Sequence, residues 1–336
     1  MYFGSVKFFK HLILSVLSFI LAALIGGLVT FIVLFTTQKN KTEEAMAMYN
    51  ESAEQNKHIN IPDGSDLEDI YDILRNKGYT DKDIIDIILK NDANAADYLE
   101  KKRIEAEVAT GPEYMKLYPE LYAGLPEKYV ERHNTIYLTF DDGPSQNTLQ
   151  ILSILDKYNI KATFFMCGSE TEEGKAIMKK VAEKGHTIGV HSYSHDYEVI
   201  YKDMNSFLDD FNKTYNLIYD ATGVKPDIFR FAGGSINNYN RLIYKQIISE
   251  MTRRGFTYYD WNVSGEDANA NATWTSIYRN VLNGVDGKGN AIVLLHDTKE
   301  RTVYVVEDLI QQLLKDGYQF EPLTNEVEPF NFSYLS

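Results

Sequence analysis

Two neighbouring carboxylates follow an apolar stretch near the middle of the chain. Asp141 and Asp142 come directly after Ile136–Phe140, and Gly143-Pro144 follows them. Adjacent side chains point in opposite directions in extended backbone, but the turn that Gly-Pro imposes allows both carboxylates to face one cavity. There they would take different roles, such as proton transfer and metal binding. The alternative interpretation is that Asp-Asp-Gly-Pro is only a turn.

Two histidines lie four residues apart, at His191 and His195. If this segment turns helically, both imidazoles lie on one face and can bind one metal ion. With a carboxylate they form a two-histidine, one-carboxylate site, which leaves coordination positions open for water and substrate. The alternative is a surface loop with incidental histidines, although the chain has only 7 histidines in all.

Three further polar clusters also follow apolar stretches. Arg230 precedes a glycine pair that begins at Gly233. An arginine at a strand end can bind a carboxylate, and glycines bring backbone N–H groups close to a ligand. Trp261 is either a core residue or a platform for a sugar ring, and Asp267 follows it. His296 is either a structural histidine or a general acid or base.

The elements that would position these clusters alternate between strand and helix. The apolar pattern beyond Thr135 predicts seven strands, at Ile136–Phe140, Ala162–Met166, Thr187–Val190, Ile228–Phe231, Phe256–Trp261, Ala291–Leu295 and Tyr318–Phe320. Helical stretches such as Leu149–Tyr158 and Val303–Lys315 separate them. This alternation predicts an α/β fold with a parallel sheet, open or closed into a barrel. The polar clusters then lie at the carboxyl ends of strands, where parallel barrels have their active sites.

Taken in this order, the clusters resemble the motifs of the NodB-type polysaccharide deacetylases, carbohydrate esterase family 4. The resemblance covers residues 135–320 and implies a deformed (β/α) barrel of about seven parallel strands. It also implies removal of acetyl groups from polysaccharides with a divalent metal, usually zinc. The segment Tyr114–Tyr122 resembles the leader that precedes the catalytic domain in Gram-positive relatives.

The resemblance implies that Asp142, His191 and His195 are the metal ligands, with Zn²⁺ as the expected cofactor. A bound metal polarises the acetyl carbonyl and lowers the pKa of water from about 15.7 towards about 7. This chemistry needs no serine or cysteine nucleophile. Cys167, the single cysteine of the chain, is therefore interpreted as a core residue at the end of a strand.

The remaining catalytic roles follow from the same resemblance. Asp141 is the expected general base and Arg230 the group that orients it. His296 is the expected general acid, and Asp267 is expected to tune it. The backbone N–H of Gly233 is expected to help bind the oxyanion.

Leu294 and Trp261 are expected to form walls of the acetyl pocket. Two departures from the family pattern lie near the site. Ala232 occupies a position that usually holds proline, which would stiffen the loop that presents Arg230 and Gly233. In the fourth motif, Ser264 and Ala268 replace an aspartate and a tryptophan. Because the expected ligands, base and acid are all present, we expect an active enzyme.

An uncharged apolar stretch lies near the amino terminus, from Leu12 to Phe35. About 20 apolar residues cross a bilayer as a helix, whereas the apolar region of a cleaved signal peptide has only about 7–15. We therefore predict a transmembrane helix at residues 12–36, after a tail at residues 1–11 that the resemblance implies is cytoplasmic. Two lysines flank each side, so the positive-inside rule does not decide the orientation.

The other predicted segments follow from composition. They are a tether, a helical spacer with the leader, the catalytic domain and a C-terminal tail, at residues 37–65, 66–130, 131–325 and 326–336. The spacer contains two short amphipathic stretches, and Thr80 is the predicted N-cap of the second, with Asp83 three residues later. We favour a spacer that packs on the main domain over a separate binding module.

The composition excludes several classes of protein. Of the 336 residues, 44% are hydrophobic and 24% charged, which is typical of a globular chain. A net charge of -14 argues against a nucleic-acid partner, which requires a basic surface. A single cysteine excludes an internal disulfide.

These observations predict a membrane-anchored, metal-dependent deacetylase that acts on N-acetylglucosamine units of a cell-envelope polysaccharide, with peptidoglycan favoured. Because such substrates lie outside the cell, the catalytic domain is expected to be extracellular and the amino terminus cytoplasmic. The alternatives are a deacetylase of another glycan (chitin oligomers, xylan or an exopolysaccharide) and a non-catalytic glycan-binding envelope protein whose site has decayed. Ala232 and Ala268 motivate the last alternative.

Overall fold

The computed structural model describes residues 67–80, 83–84, 86–88, 102, 104–105, 107–126 and 128–333. The chain divides into two compact units, residues 1–105 and 106–336. The expected cytoplasmic tail, transmembrane helix and tether lie outside the described residues. Among the residues that are described, no helix is both long enough and apolar enough to cross a bilayer.

The first unit contains helix α1, Leu67–Asn76. Its buried residues Tyr71 and Leu74 pack with three isoleucines of the helical stretch that follows. Thr80 and Asp83 form the predicted cap, because the Thr80 hydroxyl donates to the Asp83 carboxylate at 2.6 Å and accepts from the Asp83 N–H at 3.3 Å. The two predicted helical stretches therefore form a small hairpin with its own apolar core.

The second unit alternates strands and helices. Its strands are β1 Thr135–Asp141, β2 Thr163–Cys167, β3 Thr187–Ser192, β4 Ile228–Phe229, β5 Thr257–Tyr258, β6 Val263–Ser264, β7 Asn290–His296 and β8 Gln319–Phe320. Its α-helices are α2 Gln146–Lys157, α3 Glu172–Glu183, α4 Tyr197–Ile200, α5 Met204–Thr222, α6 Tyr244–Arg253, α7 Trp274–Val285 and α8 Glu300–Lys315. A 3-10 turn, Glu113–Lys116, precedes them.

The strands form one parallel sheet in the order β5-β4-β3-β2-β1-β7-β6, and β8 pairs with β1. The two end strands β5 and β6 do not pair with each other, so the sheet is an open half-barrel and does not close into a full barrel. All seven predicted strands are present, which confirms the expected parallel α/β fold. The sequence missed β6, because a strand of two residues carries no periodic signal.

Two apolar layers surround the sheet. Leu138 and Phe140 of β1 pack into the large core between sheet and helices. Tyr137 belongs to a smaller core inside the half-barrel, which also contains Leu323 and Val327 from the C-terminal region. Every residue of β1 is buried, as expected for a parallel strand covered on both faces. The same alternation directs Asp141 towards the interior, at the strand's carboxyl end.

Candidate active site

A buried ion pair joins the ends of β1 and β4. The Nη1 group of Arg230 donates to Asp141 Oδ1 at 2.9 Å and to Thr139 Oγ1 at 2.6 Å. Its Nε and Nη2 groups donate to the backbone carbonyls of Tyr259 and Asp260. Both members of the pair are almost fully buried. The guanidinium thus fixes one carboxylate oxygen of Asp141 and leaves the other directed into the site.

Asp142, His191 and His195 converge on one point beside this pair. Asp142 Oδ1 lies 3.4 Å from His191 Nε2 and 3.2 Å from His195 Nε2. The candidate ligand atoms of all three residues lie within 4.8 Å of one another. Asp142 and His195 both have left-handed backbone, with φ of 73° and 51°. Such backbone is rare outside glycine and is found preferentially at functional sites.

The two histidines meet by a route that differs from the helical turn considered for the sequence. His191 lies in β3, and His195 follows in a loop before α4. The Asp210 carboxylate, from α5, accepts hydrogen bonds from the backbone N–H groups of Tyr193 and Ser194 at 2.8 and 2.9 Å. These hydrogen bonds to the buried carboxylate hold the loop in a turn, and the turn places the imidazole of His195 beside that of His191. Nothing in the local pattern around Asp210 marks this role.

The three side chains fit a divalent metal ion. His191 Nδ1 lies 3.0 Å from the carbonyl oxygen of Arg230, and a carbonyl can only accept, so this nitrogen carries the proton. The lone pair of Nε2 then faces Asp142, whose buried Oδ1 has no hydrogen-bond partner. Ligand atoms of a tetrahedral zinc site lie about 3.4 Å apart, close to the distances found here.

Electrostatics at this cluster favour an ionised carboxylate. Burial acts to raise the pKa of Asp142, but the imidazoles of His191 and His195, in their protonated forms, hold that pKa far below its usual range. Asp142 in turn raises the pKa of His195. A carboxylate that remains ionised and has no aligned donor at Oδ1 is well suited to bind a cation.

His296 stands on the opposite side of the cluster, at the end of β7. Its Nδ1 atom lies 2.7 Å from Asp267 Oδ1, and its backbone N–H donates to Asp267 Oδ2 at 2.7 Å. Thr302 also donates to Oδ2. Burial acts to lower the pKa of His296, but the hydrogen bond to Asp267 outweighs it and raises that pKa to about 9. The Nε2 atom is 4.0 Å from Asp142 Oδ2, so this nitrogen of the imidazole is directed at the site.

The glycine loop after β4 has left-handed backbone at Gly233 and Gly234, with φ of 75° and 85°. Ala232, where the family usually has proline, is buried. Its carbonyl accepts from the Tyr201 hydroxyl at 2.7 Å and from the Asn237 amide at 3.3 Å. These hydrogen bonds restrain the loop without a proline ring.

Leu294 and Trp261 lie on the interior side of the sheet. Leu294 is buried and shares its face of β7 with Ile292 and His296. Trp261 is half-buried, packs against the interior core, and lies 5.7 Å from the guanidinium carbon of Arg230. The structure thus supports the interpretation of Trp261 as a core residue, and its role as a platform for a sugar ring or as a wall of the acetyl pocket stays a prediction.

Two residues near the site were not identified from the sequence. Tyr197 contacts His195 with its ring tilted by 48° and the ring centroids 5.4 Å apart, and it borders Gly233. Asp297 is fully buried behind the Asp141–Asp142 turn and accepts a hydrogen bond from Thr148. Burial raises its pKa to about 7. The stretch around Asp297 was recognised as polar, but no pattern shows that its carboxyl group points inward.

A carboxylate and an imidazole able to transfer protons, placed on two sides of a cluster that could hold a metal ion, are typical of hydrolases that activate water. The fold places all of these groups at the carboxyl ends of parallel strands, where barrels of this kind perform catalysis. Fold and site together therefore define a hydrolytic enzyme of the α/β-barrel class.

Comparisons with known proteins identify the family. The family model for polysaccharide deacetylases matches residues 128–251. Peptidoglycan-N-acetylglucosamine deacetylase of Bacillus cereus is 30% identical over 202 residues, which are 58% of this chain and 72% of that protein. The catalytic domain of peptidoglycan N-acetylglucosamine deacetylase from Eubacterium rectale is 37% identical, with a TM-score of 0.59 over 65% of this chain and 100% of that one. A polysaccharide deacetylase from Bacillus cereus is 29% identical, with a TM-score of 0.53 over 60% and 97% of the two chains.

The chain belongs to the polysaccharide deacetylase family, carbohydrate esterase family 4. It is an enzyme, a hydrolase that acts on carbon–nitrogen bonds other than peptide bonds. This confirms the resemblance drawn from the motifs.

Proposed function

We propose that this protein removes acetyl groups from N-acetylglucosamine units of peptidoglycan with the help of a divalent metal, Zn²⁺ being favoured. The convergence of Asp142, His191 and His195 beside the Asp141–Arg230 pair carries the proposal. Two of the similar proteins are named as peptidoglycan N-acetylglucosamine deacetylases, which supports this choice of substrate.

The ion held by Asp142, His191 and His195 would supply Lewis acidity towards the acetyl carbonyl and water when bound. Asp141 would take the proton from the attacking water. Arg230 supports this role, because its hydrogen bond to Oδ1 fixes the orientation of Asp141.

The groups on the other side of the acetyl group would complete the reaction. The Gly233 N–H would donate to the oxyanion that develops as water adds to the carbonyl, an effect typically worth about 10²–10³-fold per donor. His296, protonated at Nε2, would donate a proton to the leaving amine of the sugar. Its raised pKa of about 9 keeps that proton available at neutral pH.

We also propose that residues 12–36 anchor the protein in the cell membrane with the catalytic domain outside. The uncharged apolar sequence from Leu12 to Phe35 supports this location, because about 20 such residues suffice to cross a bilayer. Protease treatment of intact cells tests it. The catalytic domain should be degraded, and a domain that is protected until the cells are lysed would contradict the proposal.

A substrate panel tests the enzymatic proposal. The full-length chain, purified in detergent, is incubated with peptidoglycan, chitin oligomers, acetylated xylan and an acetylated exopolysaccharide, and released acetate is measured. We expect peptidoglycan to be the best substrate, with mass spectrometry locating the free amine on glucosamine. Faster release from another glycan, or a free amine on muramic acid, would replace the proposed substrate.

His191→Ala tests the metal site in the same assay. We expect the variant to lose both bound metal, measured by elemental mass spectrometry, and acetate release. His133→Ala is the matched control, because His133 is exposed and lies on the approach to β1. Acetate release by a His191→Ala protein would refute the ligand assignment.

A further inference from the structure

The C-terminal segment Phe330–Phe332 is hydrogen-bonded to Asp260, which follows Tyr259 just beyond the end of β5. The backbone N–H of Phe332 donates to Asp260 Oδ2 at 2.7 Å, and the backbone N–H of Asp260 donates to the carbonyl of Phe330 at 2.9 Å. These residues belong to the segment that the sequence assigned to a C-terminal tail. In the structure this segment is bonded in both directions to the catalytic domain.

The same carboxylate also holds the glycine loop. The backbone N–H of Ser235 donates to Asp260 Oδ1 at 2.8 Å, and the Ser235 hydroxyl donates to Oδ2. Asp260 is fully buried, so no solvent replaces these donors. Its own carbonyl accepts from Arg230 Nη2 at 3.1 Å. One residue thus connects the glycine loop, the arginine that holds Asp141, and the C-terminal segment.

Packing of Phe332 reinforces this connection. A Cβ atom at Gly234 would lie 2.8 Å from a ring carbon of Phe332, a distance that only glycine avoids. The Phe332 ring also meets Trp261 edge to face, with centroids 4.9 Å apart. The aromatic ring therefore packs against the glycine loop at Gly234, the residue next to Gly233.

We propose that Asp260 and the C-terminal segment Phe330–Phe332 position the Gly233 N–H for the oxyanion. Asp260 is a positioning residue, because it bonds Ser235 and Phe332 and touches no reacting atom. The inference rests on the proposed oxyanion role of Gly233. It gives residues 330–332 a part in catalysis, and it adds to the restraint that the Tyr201 and Asn237 hydrogen bonds place on the loop at Ala232.

Three variants of the full-length chain test the proposal. Asp260→Asn replaces an acceptor oxygen with a donor and so loses at least one of the three hydrogen bonds. Phe332→Ala removes the ring behind Gly234, and Phe332→Leu is the conservative variant that retains most of its volume. Ile310→Ala is the matched control, because Ile310 is a fully buried residue of α8 in the sheet–helix core.

We expect kcat for acetate release to fall at least about tenfold in Asp260→Asn and Phe332→Ala, below the about 10²–10³-fold effect of losing a whole oxyanion donor. KM and metal content should stay within about twofold of the wild type, because neither substitution replaces a proposed metal ligand or a residue expected to contact the substrate. Phe332→Leu should recover most of the loss. Ile310→Ala should reduce thermal stability and leave kcat of the folded fraction unchanged.

Hydrogen–deuterium exchange of residues 231–240, followed by mass spectrometry, gives a readout that needs no turnover. Exchange should be faster in Asp260→Asn and Phe332→Ala and unchanged in Ile310→Ala. Wild-type exchange in these variants, or a kcat loss that only matches the unfolded fraction, would overturn the inference. Absence of acetate release by the wild-type chain would instead refute the proposed function, and exchange would still decide the positioning role.

Discussion

Arg230 connects the residues of the site because it bonds Asp141 and Thr139 through Nη1 and the β5 end through Nε and Nη2. It is fully buried and lies over the Phe165 ring at 4.3 Å. A buried guanidinium is tolerated only when its donors are satisfied, and here the backbone supplies two of the acceptors.

Arg230→Lys keeps the charge but loses the planar fork, so most of these hydrogen bonds cannot re-form. We expect kcat for acetate release to fall by about 10²-fold or more, because Asp141 is no longer held in place. The free energy of unfolding should fall by about 3 kcal/mol. Acetate release and urea denaturation measure the two effects. Arg241→Lys, at an exposed arginine, is the control, and wild-type kcat in Arg230→Lys would contradict the assigned role.

Asp267 controls the pH range over which His296 holds its proton. Because the pKa of His296 is raised to about 9, its imidazole is protonated below that pH, and we expect acetate release to be lost as pH rises through it. Asp267→Asn removes the negative charge, so burial dominates and the pKa falls. We expect the alkaline limb of the kcat/KM profile to move at least about one pH unit lower. An unmoved limb would show that another group donates the proton.

At the scale of elements, Arg254 attaches the leader to the end of α6. The fully buried guanidinium donates to the carbonyls of Leu117 at 2.8 Å and Tyr118 at 2.9 Å, and to Glu250 at 2.7 Å. The Ala123 N–H donates back to the Arg254 carbonyl at 2.8 Å. The leader is therefore part of the folded catalytic unit, although the family model begins at residue 128.

Arg254→Met tests this attachment. The substitution leaves Glu250 without one of its arginine partners and the leader carbonyls without donors. We expect the free energy of unfolding to fall by about 3–5 kcal/mol, measured by urea denaturation of the full-length chain. Arg279→Met, on the exposed face of α7, should change stability by less than about 0.5 kcal/mol. Equal stability of the two variants would show that the leader contributes nothing to the fold.

The connection between α3 and β3 contains a buried histidine, His186. Its Nδ1 accepts from the Ala162 N–H at 3.1 Å, and its Nε2 has no partner. Burial lowers its pKa to about 4. In the unfolded chain the pKa of this histidine is about 6.5, so as pH falls below that value the unfolded state binds a proton that the folded state does not. The free energy of unfolding therefore decreases as pH falls towards 4.

His186→Asn keeps an acceptor near the Nδ1 position and does not titrate. Wild type should lose up to about 3 kcal/mol more stability than this variant between pH 7 and pH 4. Urea denaturation at several pH values measures the difference. Parallel stability curves for the two proteins would contradict the assignment of His186 as a neutral buried residue.

The sequence predicted elements well where the pattern was long. Strands β1 and β7 lie within one residue of their predicted bounds at each end. Strands β4 and β5 were predicted as four and six residues but are two residues long, because Arg230 and Asp260 already turn into the site. A local apolar pattern does not show where a strand stops pairing.

At the scale of the whole molecule, the resemblance of the motifs predicted that Asp142, His191 and His195 lie together, and in the structure they do. It could not identify Asp210 or Asp260, because their roles depend on which loop each buried carboxylate meets. Nor could it show that residues 330–332 contact the catalytic domain, because short segments without periodicity carry no docking signal. Long-range polar contacts are fixed by tertiary structure alone.

Removal and restoration of the metal tests the central claim most directly. The full-length protein is stripped with a chelator, and acetate release from peptidoglycan is measured before stripping, after stripping, and after addition of one equivalent of Zn²⁺. We predict that release falls by at least about 10²-fold on stripping and returns with zinc in the wild type. His191→Ala should not recover. Full acetate release by protein shown to be metal-free would contradict the account.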